Sequence, residues 1–200
     1  MSELASSTRT AGRTGDDRAL GRSTGEFGVI VFLASDVMLF APFFAAYFLL
    51  RANNVPWPPG DVELDVPRAA AATLVLFASS FTMHAADQAQ HRPDGAATVR
   101  RWLLVTMLFG AVFLANQLAE FATLSFGADS HPYGSVFWGL TGLHGAHVTA
   151  GICAIGALFV RSVRSPTRAS AVPWSGGVSL FWHLVDAIWI AVFVTIWVAQ

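Results

Sequence analysis

The stretch Tyr133–Val160, YGSVFWGLTGLHGAHVTAGICAIGALFV, runs for 28 residues without an Asp, Glu, Lys or Arg. About 20 consecutive apolar residues carry a helix across the hydrocarbon of a bilayer, so this stretch predicts a membrane span. Four more of the same kind surround it, at Phe27–Leu50, Arg68–Ala86, Arg101–Phe126 and Gly176–Val198. The shortest is Arg68–Ala86, which is also rich in alanine. Composition agrees with five spans: 54% of the 200 residues are hydrophobic and 12% are charged, where soluble domains carry about 25% charge. The predicted fold class is an all-α integral membrane protein, a five-transmembrane-helix bundle. A net charge of −1 offers no basic surface for phosphates, which excludes a nucleic-acid partner. The one cysteine, Cys153, can close no intrachain disulfide and excludes a multi-thiolate metal site built by this chain alone.

Lysine is absent, so every fixed positive charge is one of 12 arginines. Arg9, Arg13, Arg18 and Arg22 precede the first span; Arg92, Arg100 and Arg101 lie between the second and third; Arg161, Arg164 and Arg168 lie between the fourth and fifth. The other two connectors hold Asp61, Glu63, Asp65 and Asp129, with Arg51 and Arg68 at their edges. Positive connectors stay inside, which places the N-terminus in the cytoplasm and the C-terminus outside. Residues 1–25, rich in Ser, Thr, Gly and Arg with no apolar run, are expected to form a disordered polar cytoplasmic tail, not a cleaved signal peptide. The membrane domain is then 26–200. Trp102, Tyr133, Trp174 and Trp197 fall near span ends, where interfacial rings are favoured. Pro42 lies inside the first span and is expected to kink it. Gly139, Gly142, Gly145 and Ala146 form a small-residue face suited to close helix packing.

Ionisable side chains inside these spans need a reason, since a charge near the bilayer centre costs on the order of 3 kcal/mol. Asp36 sits on the first span, Glu120 on the third, His144 and His147 on the fourth, His183 and Asp186 on the fifth. Each of the last two pairs is spaced i, i+3 and shares a helical face. At about 1.5 Å per residue, Asp36, His147, His183 and Asp186 share inner-to-middle layers. Glu120, about one and a half turns from its helix end, and His144 lie further out. Three roles compete for this set. Imidazoles and carboxylates could pair across helices and fix the packing. Asp36 could hold and pass protons. His144, His147 and His183 could ligate haem or a metal ion between facing helices. His84 with Asp87, at the end of the second span, is expected to form an interfacial ion pair. His91 and His131 lie in connectors and are assigned no role.

Three strings then resemble one family. Gly28–Phe40 (GVIVFLASDVMLF), Tyr133–Val148 (YGSVFWGLTGLHGAHV) and Leu180–Trp189 (LFWHLVDAIW) are similar to the signature stretches of subunit III of the haem–copper oxidases, and Gln117–Phe121 (QLAEF) resembles that family's Q-x-x-E-[YF] string. The similarity runs from about Phe27 to the C-terminus, and five spans match the short bacterial form.

The resemblance implies a non-catalytic core subunit of an aerobic terminal oxidase in the bacterial plasma membrane. Haem and copper are expected in partner subunits and no cofactor or metal in this chain, which would contact subunit I, share its complex with subunit II and hold structural phospholipid in a cleft. Asp36 takes the place of the family's proton-uptake or lipid-cleft carboxylate. Glu120, His144, His147, Trp182, His183 and Asp186 take the family positions for interhelical polar pairing. Cytochrome c-oxidising members often have Glu where Asp36 stands and quinol oxidases have Asp, whereas Val55–Gly60 (VPWPPG) resembles the cytochrome c branch. Cytochrome c oxidase is the expected complex. Alternatives are subunit III of a quinol oxidase, an accessory subunit of nitric oxide reductase, a stand-alone haem- or metal-binding membrane protein, and a small proton-linked transporter.

Overall fold

A computed structural model of the chain describes residues 13–60, 62–92, 95–164 and 175–199. These residues form five α-helices: α1 (Arg13–Asn53), α2 (Val66–Ala89), α3 (Ala96–Phe121), α4 (Pro132–Arg164) and α5 (Ser175–Phe193), the last running into a π-helical turn at Val194–Val198. There is no strand among the described residues. By length and composition all five helices can cross a membrane.

The chain divides into two compact units, Met1–Leu39 and Phe40–Gln200, with α1 contributing to both. The backbone is helical from Arg13, inside the stretch whose composition predicts disorder, while residues 1–12 lie outside the described residues. No proline interrupts 13–41, and once the apolar span has nucleated a helix, each further residue costs little to add. Pro42 lies within α1 without ending it.

In the second unit α2 packs on α3, α3 on α4, α4 on α5, and α5 back on α2. The four helices form a closed ring. Its inner seam is written in the spacing of buried residues. On α3 these are Val99, Leu103, Thr106, Gly110, Phe113, Gln117 and Glu120, alternating steps of four and three. An average of 3.5 residues, just under the helical repeat, keeps one stripe facing its neighbours along the whole length. Ala69, Ala72, Leu76, Ser79, Met83 and Ala86 of α2 follow the same alternation. Asp65 caps α2 by accepting the N–H of Arg68 at 3.0 Å.

Several expectations change at this level. The third helix ends at Phe121 with Ala122 as its cap, five residues before the predicted end. Glu120 is therefore in its last turn. The apolar run continues past the helix because the connector itself is buried: Phe126 is 4% exposed and packs on Phe137 at 5.4 Å. Tyr133 and Trp197, near the span ends, are buried within the protein at 0% and 4% exposure. Both rings lean on Phe137, at 6.2 and 5.8 Å. Trp102 is half-buried, and Trp174 lies outside the described residues. The small-residue face of α4 is used at one point. A side chain at Gly139 would meet the Phe43 ring at 2.5 Å, whereas Gly142 faces open space.

Candidate functional site

The polar groups of the bundle gather on the seam between α2 and α5, because α2 offers small hydroxyls where α5 offers large polar rings. Trp182 is fully buried. Its indole lies against two glycines: a Cβ at Gly110 of α3 or Gly151 of α4 would sit 2.8 Å from it. Nothing larger than hydrogen at these positions leaves room for the ring. Its Nε1–H donates to Ser79 Oγ at 2.9 Å, and Ser79 in turn donates to the Leu76 carbonyl at 2.6 Å. The device repeats two turns along, where Trp189 Nε1 donates to Thr73 Oγ1 at 3.0 Å and Thr73 donates to the Ala69 carbonyl at 2.8 Å. A buried N–H in hydrocarbon has no water to fall back on, so each hydroxyl on α2 discharges a cost carried by α5.

Between the two tryptophans lie His183 and Asp186, joined by one residue of α2. Ser80 Oγ is 3.1 Å from His183 Nδ1, and the Ser80 hydroxyl donates to Asp186 Oδ2. Asp186 is buried, and its Oδ1 has no partner among the described residues. His183 is half-buried. The i, i+3 spacing does place this pair on one face, and the structure couples them through a serine. On the same face of α2, His84 and Asp87 lie within electrostatic reach of His183. The ion pair expected between them gives way to two glutamines: His84 Nε2 meets Gln88 Nε2 at 2.9 Å, and Gln90 donates to Asp87. Amide groups three or four residues along the same chain approach each ring or carboxylate at no cost in bridging geometry.

His144 is fully buried in an aromatic slot, 4.6 Å from Trp189 and 5.6 Å from Phe113, edge-on to the latter. Neither ring nitrogen has a hydrogen-bond partner among the described residues. His147, one turn away, places Nδ1 2.7 Å from the Leu143 carbonyl of its own helix and its ring 5.0 Å from Phe40. The structure thus brings His183 and Asp186 together and leaves His144 and His147 in separate settings. Among the described residues no three His, Cys, Asp or Glu side chains converge as metal ligands do.

At the opposite end of α3, Glu120 and Gln117 lie on the buried stripe, with Glu120 Oε1 and Gln117 Nε2 unpartnered among the described residues. Arg68 ties α2 to α3 there, with Nε donating to Asn116 Oδ1 at 2.8 Å and NH2 to the Asn116 carbonyl at 3.1 Å. Asp36 belongs to the first unit, one turn before its end at Leu39. Residue type alone does not mark the hydroxyls that complete this seam, Ser79, Ser80 and Thr73. The signal available was their position: Thr73 and Ser80 are spaced i, i+7, the period of the α2 stripe.

The chain matches the family model of cytochrome c oxidase subunit III over residues 8–199. It is 42% identical over 174 residues to the probable cytochrome c oxidase subunit 3 of Mycobacterium tuberculosis, covering 85% of each chain. It is 37% identical over 173 residues to cytochrome c oxidase subunit 3 of Thermostichus vulcanus, covering 86% of this chain and 85% of that one. The corresponding protein of Corynebacterium diphtheriae is 39% identical over 179 residues, with 86% and 87% covered.

Proposed function

The chain belongs to the cytochrome c oxidase subunit III family, a subunit of haem–copper oxidases, and from that premise we propose that it is a non-catalytic core subunit stabilising subunit I and its proton uptake. The observation that carries this is the α2–α5 seam. Its indoles, imidazole and carboxylate are bonded to hydroxyls of the chain itself, which suits a packing role better than ligation. His183 plays that part by bonding, and His144 and His147 pack against aromatic rings instead of holding a metal. Haem and copper then reside in partner subunits, this chain binds neither, and subunit II shares the complex.

Asp36 is the proton-uptake or lipid-cleft carboxylate, and phospholipid is the bound non-protein component. Glu120, Trp182, His183 and Asp186 serve interhelical polar pairing. The membrane is the bacterial plasma membrane. With ten of the 12 arginines on one side, the N-terminus and the 1–25 extension face the cytoplasm and the C-terminus lies outside. The names of the relatives favour cytochrome c as the donor to the complex.

Gentle detergent extraction of the native membrane tests this. The chain is expected to migrate with a multi-haem polypeptide and a copper-bearing one, and to be colourless when purified alone. A Soret band in the isolated chain, lost on substitution of His147 or His183, would replace this function with a stand-alone haem protein.

A further inference from the structure

We propose that His183, Ser80 and Asp186 form a dead-end proton relay that loads Asp186 from the arginine-rich end of the bundle. The proposal rests on the assignment to a proton-translocating oxidase only for its use, not for its geometry. The two hydrogen bonds point one way when His183 carries its proton on Nδ1. Ser80 donates its hydroxyl proton to Asp186 Oδ2, so its lone pairs are left to accept from His183 Nδ1, 3.1 Å away. A proton arriving at His183 Nε2 releases the one on Nδ1 to Ser80 Oγ as the Ser80 hydroxyl proton passes to Asp186. The imidazole returns to neutral with its proton on the other nitrogen, the serine is unchanged, and the carboxylate has become the acid. No electron pair leaves the chain of three residues.

The entry side is open and the far side is closed. His183 is half-buried while Asp186 is 5% exposed. Ser80, His84 and Asp87 follow one another at i, i+4 and i+7 on one face of α2, leading to the helix end at Ala89. His84 is exposed there. Beyond Asp186 the next polar contact among the described residues is Trp189 to Thr73, whose hydroxyl is already committed to the Ala69 carbonyl. An indole N–H donates and cannot accept, so the path stops at Asp186. From α4 the titratable groups on this side are His144, stacked at 4.6 Å on Trp189, and His147, 6.3 Å from Phe181. Neither imidazole hydrogen-bonds Asp186 Oδ1, which has no partner among the described residues. A wire with one open end stores a proton and does not conduct it across.

Infrared difference spectroscopy of the detergent-solubilised oxidase complex, exchanged from H2O into D2O, reads the relay at its terminus. A protonated-carboxyl C=O band lost in Asp186→Asn is expected, with deuterium exchange slowed about a hundredfold in Ser80→Ala, the low end of what a positioned proton-transfer group contributes. Ser80→Thr, which keeps the hydroxyl, should restore the rate. If Ser80→Ala fails to assemble, His84→Gln at the exposed entry decides the matter by slowing the same exchange. Exchange in Ser80→Ala or His84→Gln as fast as in the parent overturns the proposal, as does the absence of any band assignable to Asp186. Failure of the chain to co-purify with haem polypeptides would remove the oxidase assignment and leave the exchange measurement on the full chain intact.

Discussion

Ser79 does more for the bundle than its size suggests. It receives the only hydrogen of the Trp182 indole that can be donated, at 2.9 Å in a site sealed from solvent. Ser79→Ala is expected to lower stability by about 1–3 kcal/mol, the cost of a stranded buried donor, visible as a drop in the thermal midpoint of the purified complex. An unchanged midpoint would mean that the indole finds another acceptor. His144 predicts the reverse. Both of its nitrogens are without partners among the described residues, in an aromatic slot, and an apolar ring of similar shape removes that burden. His144→Phe should therefore leave the midpoint unchanged or raise it. A clear loss would show that a buried water supplies a partner to the imidazole. Residue type alone marked the ionisable groups as costly in lipid. It could not distinguish the histidine bonded to Ser80 from the one held by rings, since that depends on what faces each.

Among the elements, α3 and α4 meet α5 through hydrogen atoms where other helices present side chains. Trp182 fills the space over Gly110 and Gly151, and a methyl group at either position would come within 2.8 Å of the ring. Gly151→Ala or Gly110→Ala is predicted to cost about 1–3 kcal/mol through overpacking. Gly142→Ala is the matched control. It faces open space, and replacing glycine within a helix should be neutral or favourable by up to about 1 kcal/mol. Thermal melts of the three variants separate the two outcomes, and equal losses in all would sink the account of the seam. Span placement was legible from apolar runs because hydrocarbon thickness sets their length. The end of α3 was not, since the buried connector through Phe126 is as apolar as the helix it follows.

At the scale of the whole molecule, α2 to α5 close on one another, while the expected functional carboxylate, Asp36, belongs to the separate unit ending at Leu39. Asp36→Asn is expected to lower oxidase turnover, or shorten the time over which it lasts, with the haem absorption of the purified complex unaltered. Stopped turnover assays beside absorption spectra check this. Haem lost from the variant complex would make Asp36 a structural residue. The strings around His144, His183 and Asp186 resemble the family's signatures, and the family model matches residues 8–199.

Lipid solvent makes the number of spans, their approximate limits and the cost of each buried ionisable group readable from the order of residues, because all three follow from transfer out of water along a single chain. The partners of those groups are a different matter. That Ser80 joins His183 to Asp186 and that Trp182 rests on Gly110 and Gly151 depend on which helix faces which and at what height. Those relations exist only once the four helices have closed their ring, since the residues involved lie on different helices.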